Sequence, residues 1–106
     1  MATTKEYLNF ILEALSKAEG VSHRAMMGEY VIYFKDKVAG GIYDNRFLVK
    51  PVEAAKALMP NAEYALPYEG AKEMLMVDNL EDKDFLAELM EAMYPQLPEL
   101  KKRKKK

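Results

Sequence analysis

The stretch RAMMGEYVIYFKDKVAGGIYDNRFLVK, residues 24–50, decides the fold. From Tyr30 onward it holds three short segments rich in β-branched and aromatic residues, YVIYF, VAGGIY and RFLVK, separated by KDK and DN. Residues of this kind favour strands, and the short polar breaks favour tight turns. The stretch therefore predicts a three-stranded antiparallel meander. Asp44 and Asn45 are predicted to form a two-residue hairpin turn, because both residue types tolerate positive φ.

Alternation of side chains along these strands predicts which residues share a face of the sheet. The first turn can be centred on Lys35-Asp36 or on Asp36-Lys37, and either choice gives the same faces. One face is predicted to hold Val31, Tyr33, Val38, Gly40, Ile42, Phe47 and Val49. The other is predicted to hold Tyr30, Ile32, Phe34, Ala39, Gly41, Tyr43, Arg46, Leu48 and Lys50. Both sets are largely apolar, so we expect other parts of the chain to pack against at least part of each face.

Helical patterns flank the meander. Thr3 and Glu6 form a capping-box pattern before an apolar stripe, which predicts a helix over residues 4–19 that stops at Gly20. The elements expected after the meander are an Ala-rich helix at 52–59, strands at about 63–66 and 72–77, and a helix capped by Asp78, Asn79 or Asp82 that ends before Pro95. The predicted order is α-β-β-β-α-β-β-α, which is an α+β fold.

Composition and charge indicate one globular domain. The 106 residues are 50% hydrophobic and 31% charged, and no apolar run is long enough to span a bilayer. Residues 1–100 carry a net charge of −7, to which KKRKKK at the C-terminus adds six positive charges. We predict a single domain over residues 1–95, followed by a disordered basic tail at 96–106. The N-terminus lacks a signal-peptide pattern, so a cytoplasmic location without membrane contact is expected.

The residue inventory excludes several kinds of site. Cysteine is absent and His23 is the one histidine, which excludes Cys/His zinc sites, thiol redox chemistry and Cys/His nucleophile pairs. His23 is expected in a loop. The acidic residues around Asp82 lack the glycine turn and the final Glu of an EF-hand loop, so they are assigned to helix capping. We therefore expect no enzyme activity and no catalytic, cofactor-binding or metal-binding residue.

Residues 24–50 also resemble a known family. The matching positions are Arg24, Gly28, Tyr30, Tyr33, Lys37, Ile42, Asp44, Arg46 and Lys50. In this order and spacing they resemble the signature of the TfoX/Sxy N-terminal domain family, and the flanking helices extend the resemblance over most of residues 4–94. Met27, Glu29 and the Lys35-Asp36 turn depart from the Phe, the second Gly and the Asp-Gly turn that are usual in that family.

The resemblance implies a two-layer α/β sandwich with one antiparallel sheet, of the secretion-chaperone-like kind. Full-length members are bacterial regulators of natural competence with a second, helical C-terminal domain, and we expect this chain to be a stand-alone N-terminal domain. The resemblance assigns a structural role to its motif residues, namely Arg24, Gly28, Tyr30, Tyr33, Asp44, Arg46 and Lys50.

Two sets of residues allow a functional interpretation beside a structural one. Arg24 is expected to satisfy turn carbonyls or an acidic neighbour with its fork of donors, and holding an anionic ligand is the alternative. A second set could form a stacking platform for single-stranded bases, or could be sheet core with the long basic stems lying along it. That set is Tyr30, Phe34, Tyr43, Arg46 and Lys50.

The leading interpretation is a non-enzymatic interaction module that binds an unknown protein partner, forms a homodimer, and takes part in transcriptional regulation. The alternative is a nucleic-acid accessory protein that is tethered through the tail residues Lys101, Lys102, Arg103, Lys104, Lys105 and Lys106. Such binding would be weak and nonspecific, because the acidic body repels the same phosphates.

Overall fold

A computed structural model describes residues 3–97 of the protein. Its helices are Lys5–Ala14 (α1), Glu53–Leu58 (α2) and Lys83–Met93 (α3), followed by a 3-10 turn at Tyr94–Gln96. Its strands are Val21–Met26 (β1), Glu29–Phe34 (β2), Lys37–Ile42 (β3), Phe47–Val49 (β4), Tyr64–Ala65 (β5) and Met74–Met76 (β6). They form one antiparallel sheet in the order β1-β2-β3-β4-β6-β5. The predicted α+β class with an antiparallel sheet is confirmed, and the likeness to secretion chaperones stays a prediction.

Two-residue turns join the first four strands. Their central residues all have positive φ, at 53° and 86° in Met27-Gly28, 51° and 72° in Lys35-Asp36, and 54° and 56° in Asp44-Asn45. Positive φ at both positions is what the type I′ turn requires, and its twist matches that of the flanking strands. The predicted turn at Asp44-Asn45 is confirmed, and the first turn of the meander is centred on Lys35-Asp36.

β1 is missing from the predicted order, which the structure corrects to α-β-β-β-β-α-β-β-α. The strand pairs with β2 along its whole length, from Val21 opposite Phe34 to Met26 opposite Glu29. Its sequence, VSHRAM, has one β-branched residue and no aromatic residue other than the imidazole of His23, so it lacks the composition that identifies a strand. The prediction that His23 lies in a loop is also wrong, since it lies within β1.

A bulge in β3 corrects the predicted faces of the sheet. Tyr33 pairs with Val38, as the turn dictates, but Ile32 pairs with Gly40, so that Ala39 has no partner. One unpaired residue reverses the alternation beyond it. Ile42 therefore lies opposite Tyr30 and shares its face, whereas the prediction placed these two residues on opposite faces.

The helices pack on the face that this corrected register defines. Its buried residues are Ile32, Phe34, Ala39, Ile42, Phe47, Val49 and Leu75, and they form one core cluster with the helices. The helices contribute Leu8, Ile11, Ala14, Ala55, Leu86, Leu89, Met90 and Met93. Leu97 also lies in this cluster at 4% exposure, so packing extends two residues past the predicted boundary at 95. The basic run at 101–106 lies outside the described residues.

The ends of the helices differ in detail from the predictions. α1 ends at Ala14, followed by turns up to Gly20, and so is shorter than the predicted helix over 4–19. Its N-cap is Thr4, whose side chain accepts a hydrogen bond from the backbone N–H of Tyr7. Asp82, one of three candidates, caps α3 by accepting from Phe85 N. Both caps satisfy a backbone donor that the first turn of a helix leaves free.

Thr3, rather than capping α1, is buried between two turns of the sheet. Its hydroxyl donates to Oε1 of Glu29 at 2.6 Å and accepts from the backbone N–H of Asn45 at 3.2 Å. Its own N–H donates to the carbonyl of Gly28 at 3.0 Å. The same Glu29 oxygen accepts from Asp44 N at 3.0 Å. These bonds join the start of α1 to the β1–β2 turn and to the β3–β4 turn.

We predict that Gly40→Ala lowers the free energy of unfolding by about 3 kcal/mol, the upper part of the range for overpacking. A Cβ at Gly40 would overlap the carbonyl oxygen of Leu48 and lie 2.7 Å from Cα of Val49. These are backbone atoms of the paired strand, which cannot move away without loss of sheet hydrogen bonds. Urea unfolding followed by circular dichroism measures the change.

Gly70→Ala is the matched control. Gly70 has φ of 88°, but an added Cβ would meet no atom within 4 Å, so the substitution costs only left-handed strain of about 1 kcal/mol. Equal losses in the two variants would show that the close approach at Gly40 does not limit stability.

Candidate interaction surface

Within residues 3–97, nothing covers β1 on either face beyond Val21, its first residue, which packs against the core. Side chains alternate between the two faces of a strand, yet every residue from Ser22 to Met26 is exposed. Met26 is 43% exposed and Met27, in the turn, is 98% exposed. β1 is therefore an edge strand that projects beyond the helix layer and carries two exposed methionines at one end.

The turns at the two ends of β1 fix which of its backbone groups are free. Met26 and Glu29 flank a two-residue turn, so they form a hydrogen-bonded pair. At the other end Lys35 N donates to the carbonyl of Gly20 at 2.9 Å. Because bonding alternates along an antiparallel pair, Ser22 and Arg24 also bond to β2. The backbone N–H and C=O groups that point to the free edge are those of Val21, His23 and Ala25.

Arg24 is exposed near the middle of β1, opposite Val31 of β2. Its side chain makes no ion pair or hydrogen bond within residues 3–97, so the predicted contact with turn carbonyls or an acidic neighbour is not observed there. The carboxylate of Glu29, in the neighbouring strand, is held instead by Thr3 and Asp44. The guanidinium of Arg24 is thus available to a group from outside this part of the chain.

The segment at 66–73, between β5 and β6, packs on the face of the sheet away from the helices. Arg46 donates through Nη2 to the carbonyl of Leu66 at 2.9 Å and through Nε to that of Tyr43 at 3.1 Å. The ring of Tyr68 meets that of Tyr43 edge to face, with centroids 6.1 Å apart. An open cleft of about 610 Å³ lies between this segment and the sheet, and Lys50, Pro51, Lys72 and Met74 are among the residues that line it.

The proposed stacking platform is not formed. Tyr30 and Phe34 lie on the helix face, where Phe34 is fully buried and Tyr30 packs against the core. Tyr43, Arg46 and Lys50 lie on the other face, because the bulge at Ala39 reverses the alternation. The alternative that these residues are structural fits the contacts of Phe34, Tyr43 and Arg46.

The remaining motif residues serve the hairpins. Gly28 supplies a positive φ to the β1–β2 turn, and Asp44 does the same for the β3–β4 turn. Tyr33 is partly buried on the outer face of β2.

Among residues 3–97 no cluster of three or more His, Asp or Glu side chains could hold a metal ion.

Sequence reasoning identified Arg24 but missed the strand that presents it. The available signal was the pair Met26-Met27 before Gly28, two large apolar residues at a glycine turn. The tail residues Lys101–Lys106, proposed as nucleic-acid contacts, lie outside the described range.

Burial raises the pKa of the Tyr43 phenol above its usual value of 10.0, and the neighbouring Tyr68, Glu29 and Tyr33 raise it further. Each of these groups is negative when ionised and therefore disfavours a second negative charge. Burial raises the pKa of Tyr7 as well, although a hydrogen bond from the backbone of Phe47 acts in the opposite sense.

Fold and surface together define a small α+β protein with an open antiparallel sheet and one uncovered edge strand. The chain is 35% identical over 107 residues to an uncharacterized 12.7 kDa protein in the trpE 5′ region of Spirochaeta aurantia, an alignment that covers 100% of this chain and 93% of that protein. The chain belongs to the family of that protein. No protein-family model matches the chain, and no solved structure matches it. No helix within residues 3–97 is long and apolar enough to cross a membrane.

We predict that the protein loses stability as the pH rises above 10.0, and that Tyr43→Phe reduces this loss. The unfolded phenol ionises first because the folded pKa is raised, so the stabilisation is complete below pH 10.0 and disappears as the pH passes through the folded pKa. Chemical denaturation at a series of alkaline pH values measures the effect. Tyr64→Phe, which removes the hydroxyl of a side chain that is 49% exposed, is the matched control. Identical alkaline slopes in all three proteins would contradict the assignment.

Proposed function

We propose that this chain is a non-enzymatic interaction module that binds another protein through the free edge of β1. The observation that carries the proposal is the length and exposure of that edge, since β1 has six residues and the backbone groups of Val21, His23 and Ala25 have no partner within residues 3–97. An exposed edge of this kind is a template for a further strand.

The contrast between the two edges of the sheet supports this proposal. β5, the strand at the opposite edge, has two residues and offers little backbone for pairing. Proteins commonly protect long edges with charged side chains, especially Lys, with Pro or with a bulge. β1 contains no Lys, Pro or bulge, and Arg24 is its one charged residue.

The exposed methionines add apolar contact area beside the backbone edge. Methionine has a flexible and polarizable side chain, so it adapts to partner surfaces of different shape. Met27 at 98% exposure contributes nothing to packing within the described fold, and its positive φ of 53° adds strain. Contact with a partner gives this side chain a role that the isolated domain does not provide.

A link to transcriptional regulation is part of the proposal and rests on the resemblance of residues 24–50 to the TfoX/Sxy N-terminal domain. In this reading the chain acts through its protein partner, and regulation follows from which partner occupies the edge.

Photo-cross-linking in the source cells tests the proposal. With p-benzoylphenylalanine in place of Met27, we expect a discrete cross-linked protein adduct. The adduct should disappear when Ala25→Pro is added, because proline removes the N–H that faces the free edge and leaves the pairing with β2 in place. The same probe at Lys56, an exposed residue of α2, should give no adduct. An adduct that persists in the Ala25→Pro background would show that the edge is not the binding site.

The alternative function, a nucleic-acid accessory protein, is favoured by one observation, the six consecutive positive charges at 101–106. We predict that the whole chain binds labelled DNA and RNA oligonucleotides weakly, that a chain ending at Leu100 does not, and that binding falls steeply with salt because phosphate contacts release counterions. Fluorescence polarisation at two salt concentrations measures this. Equal binding by both chains would rule out the tail as the contact.

A further inference from the structure

β1 and the turn that follows it carry one positive charge and lie between two acidic residues, Glu19 and Glu29. Residues 20–28, GVSHRAMMG, contain Arg24 and no Asp or Glu. Residues 3–97 as a whole contain ten Lys and Arg against sixteen Asp and Glu, a net charge of −6. Most of the described chain therefore repels a negatively charged segment, whereas β1 itself offers one positive charge and no negative one.

Arg24 makes no ion pair with its neighbours. Its side chain has no ion-pair partner within the part of the chain that the structure describes, and Oε1 of Glu29, at the start of β2, accepts from Thr3 and from the backbone N–H of Asp44. Arg24 and Met26 lie two residues apart in β1 and so project from the same face. The guanidinium of Arg24 and the apolar side chain of Met26 thus lie on the same face of β1, beside its free backbone edge.

We propose that the partner contributes an extended acidic segment, which adds to β1 as a seventh strand and places a carboxylate opposite Arg24. This inference rests on the proposed function and names the chemistry of the partner. The backbone groups of Val21, His23 and Ala25 pair with the added strand. An apolar residue two positions from the carboxylate contacts Met26, because alternate residues of a strand share a face.

A second copy of the chain is a poorer occupant of the same edge. In the antiparallel register that pairs Val21 with Ala25, Arg24 lies opposite Ser22, and a shift by two residues places Arg24 opposite Arg24. Neither register supplies a carboxylate.

The test uses the purified full-length protein and three blocked nine-residue peptides of alternating threonine and valine, with Glu, Gln or Lys at the centre. Amide hydrogen exchange measured by NMR reports where each peptide binds. We expect the Glu peptide to protect the amides of Val21, His23 and Ala25, whose exchange is fast in the free protein. Ser22 and Arg24 should change little, because their amides already bond to β2.

Affinity measured by fluorescence polarisation tests the role of charge. The Glu peptide should bind about fivefold more tightly than the Lys peptide at low salt, the size of effect that an exposed ion pair supports, and the difference should shrink at about 0.5 M salt. Arg24→Glu should reverse the order of the two peptides. Ala25→Pro should abolish binding of all three peptides, and its circular dichroism spectrum should match that of the wild type. Lys56→Glu makes the same charge change on α2 and should preserve the wild-type order.

Each other outcome overturns the inference in a different way. Equal affinity for the three peptides, with protection of the same amides, keeps the edge as a binding site but removes the acidic preference. Protection of these amides without peptide, together with a dimer in light scattering, assigns the edge to a second copy. Binding of none of the peptides overturns the acidic strand, and if the Met27 cross-link is also absent, the proposed function fails with it.

Discussion

Thr3, the one buried polar side chain among residues 3–97, joins the helix layer to the sheet. Its hydroxyl donates to Glu29 and accepts from Asn45, and its N–H donates to Gly28. These three partners belong to the start of β2 and to two separate hairpin turns. A buried hydroxyl with unsatisfied bonds would be costly, so the network holds only when both turns are in place. The position of α1 and the orientation of the β1–β2 hairpin are therefore set together.

This coupling explains how β1 can be ordered with so little packing. No residue from Ser22 to Met26 is buried, and Val21 is the one residue of the strand that packs against the core cluster of the described chain. Its order comes from the backbone pairing with β2 and from the anchored turn at Gly28, where Thr3 binds the carbonyl. An edge held in this way is already extended and paired with β2 on one side, and its residues from Ser22 to Met26 are exposed. Binding would then cost less ordering entropy than it would for a flexible loop.

The sequence predicts those parts of the fold that depend on neighbouring residues. The turn at Asp44-Asn45 follows from two residue types that tolerate positive φ, and the strands beside it follow from runs of β-branched and aromatic residues. The bulge at Ala39 could not be predicted in this way. Alanine carries no signal for a bulge, and the close approach of the β4 backbone to Gly40, the next residue, is likewise invisible in the sequence. β1 was missed for a similar reason, since pairing with β2 makes VSHRAM a strand and its own propensity does not. For the candidate site, the resemblance therefore identified Arg24, but the sequence did not predict the edge strand that carries it.

The net negative charge of the described chain makes an acidic segment bind selectively at the β1 edge. At physiological ionic strength a charge is screened within about 8 Å, so an approaching acidic segment senses mainly the residues nearest to it. Elsewhere on the described surface Asp and Glu outnumber Lys and Arg, and such a segment is repelled. Beside β1 it meets Arg24, Met26 and free backbone groups, and the acid that lies opposite Met26, Glu29, has its Oε1 bonded to Thr3 and to the N–H of Asp44. Repulsion by the other acidic residues thus disfavours binding of an acidic segment elsewhere on the surface. The backbone edge of β1 provides the affinity. Specific interfaces commonly separate specificity from affinity in this way.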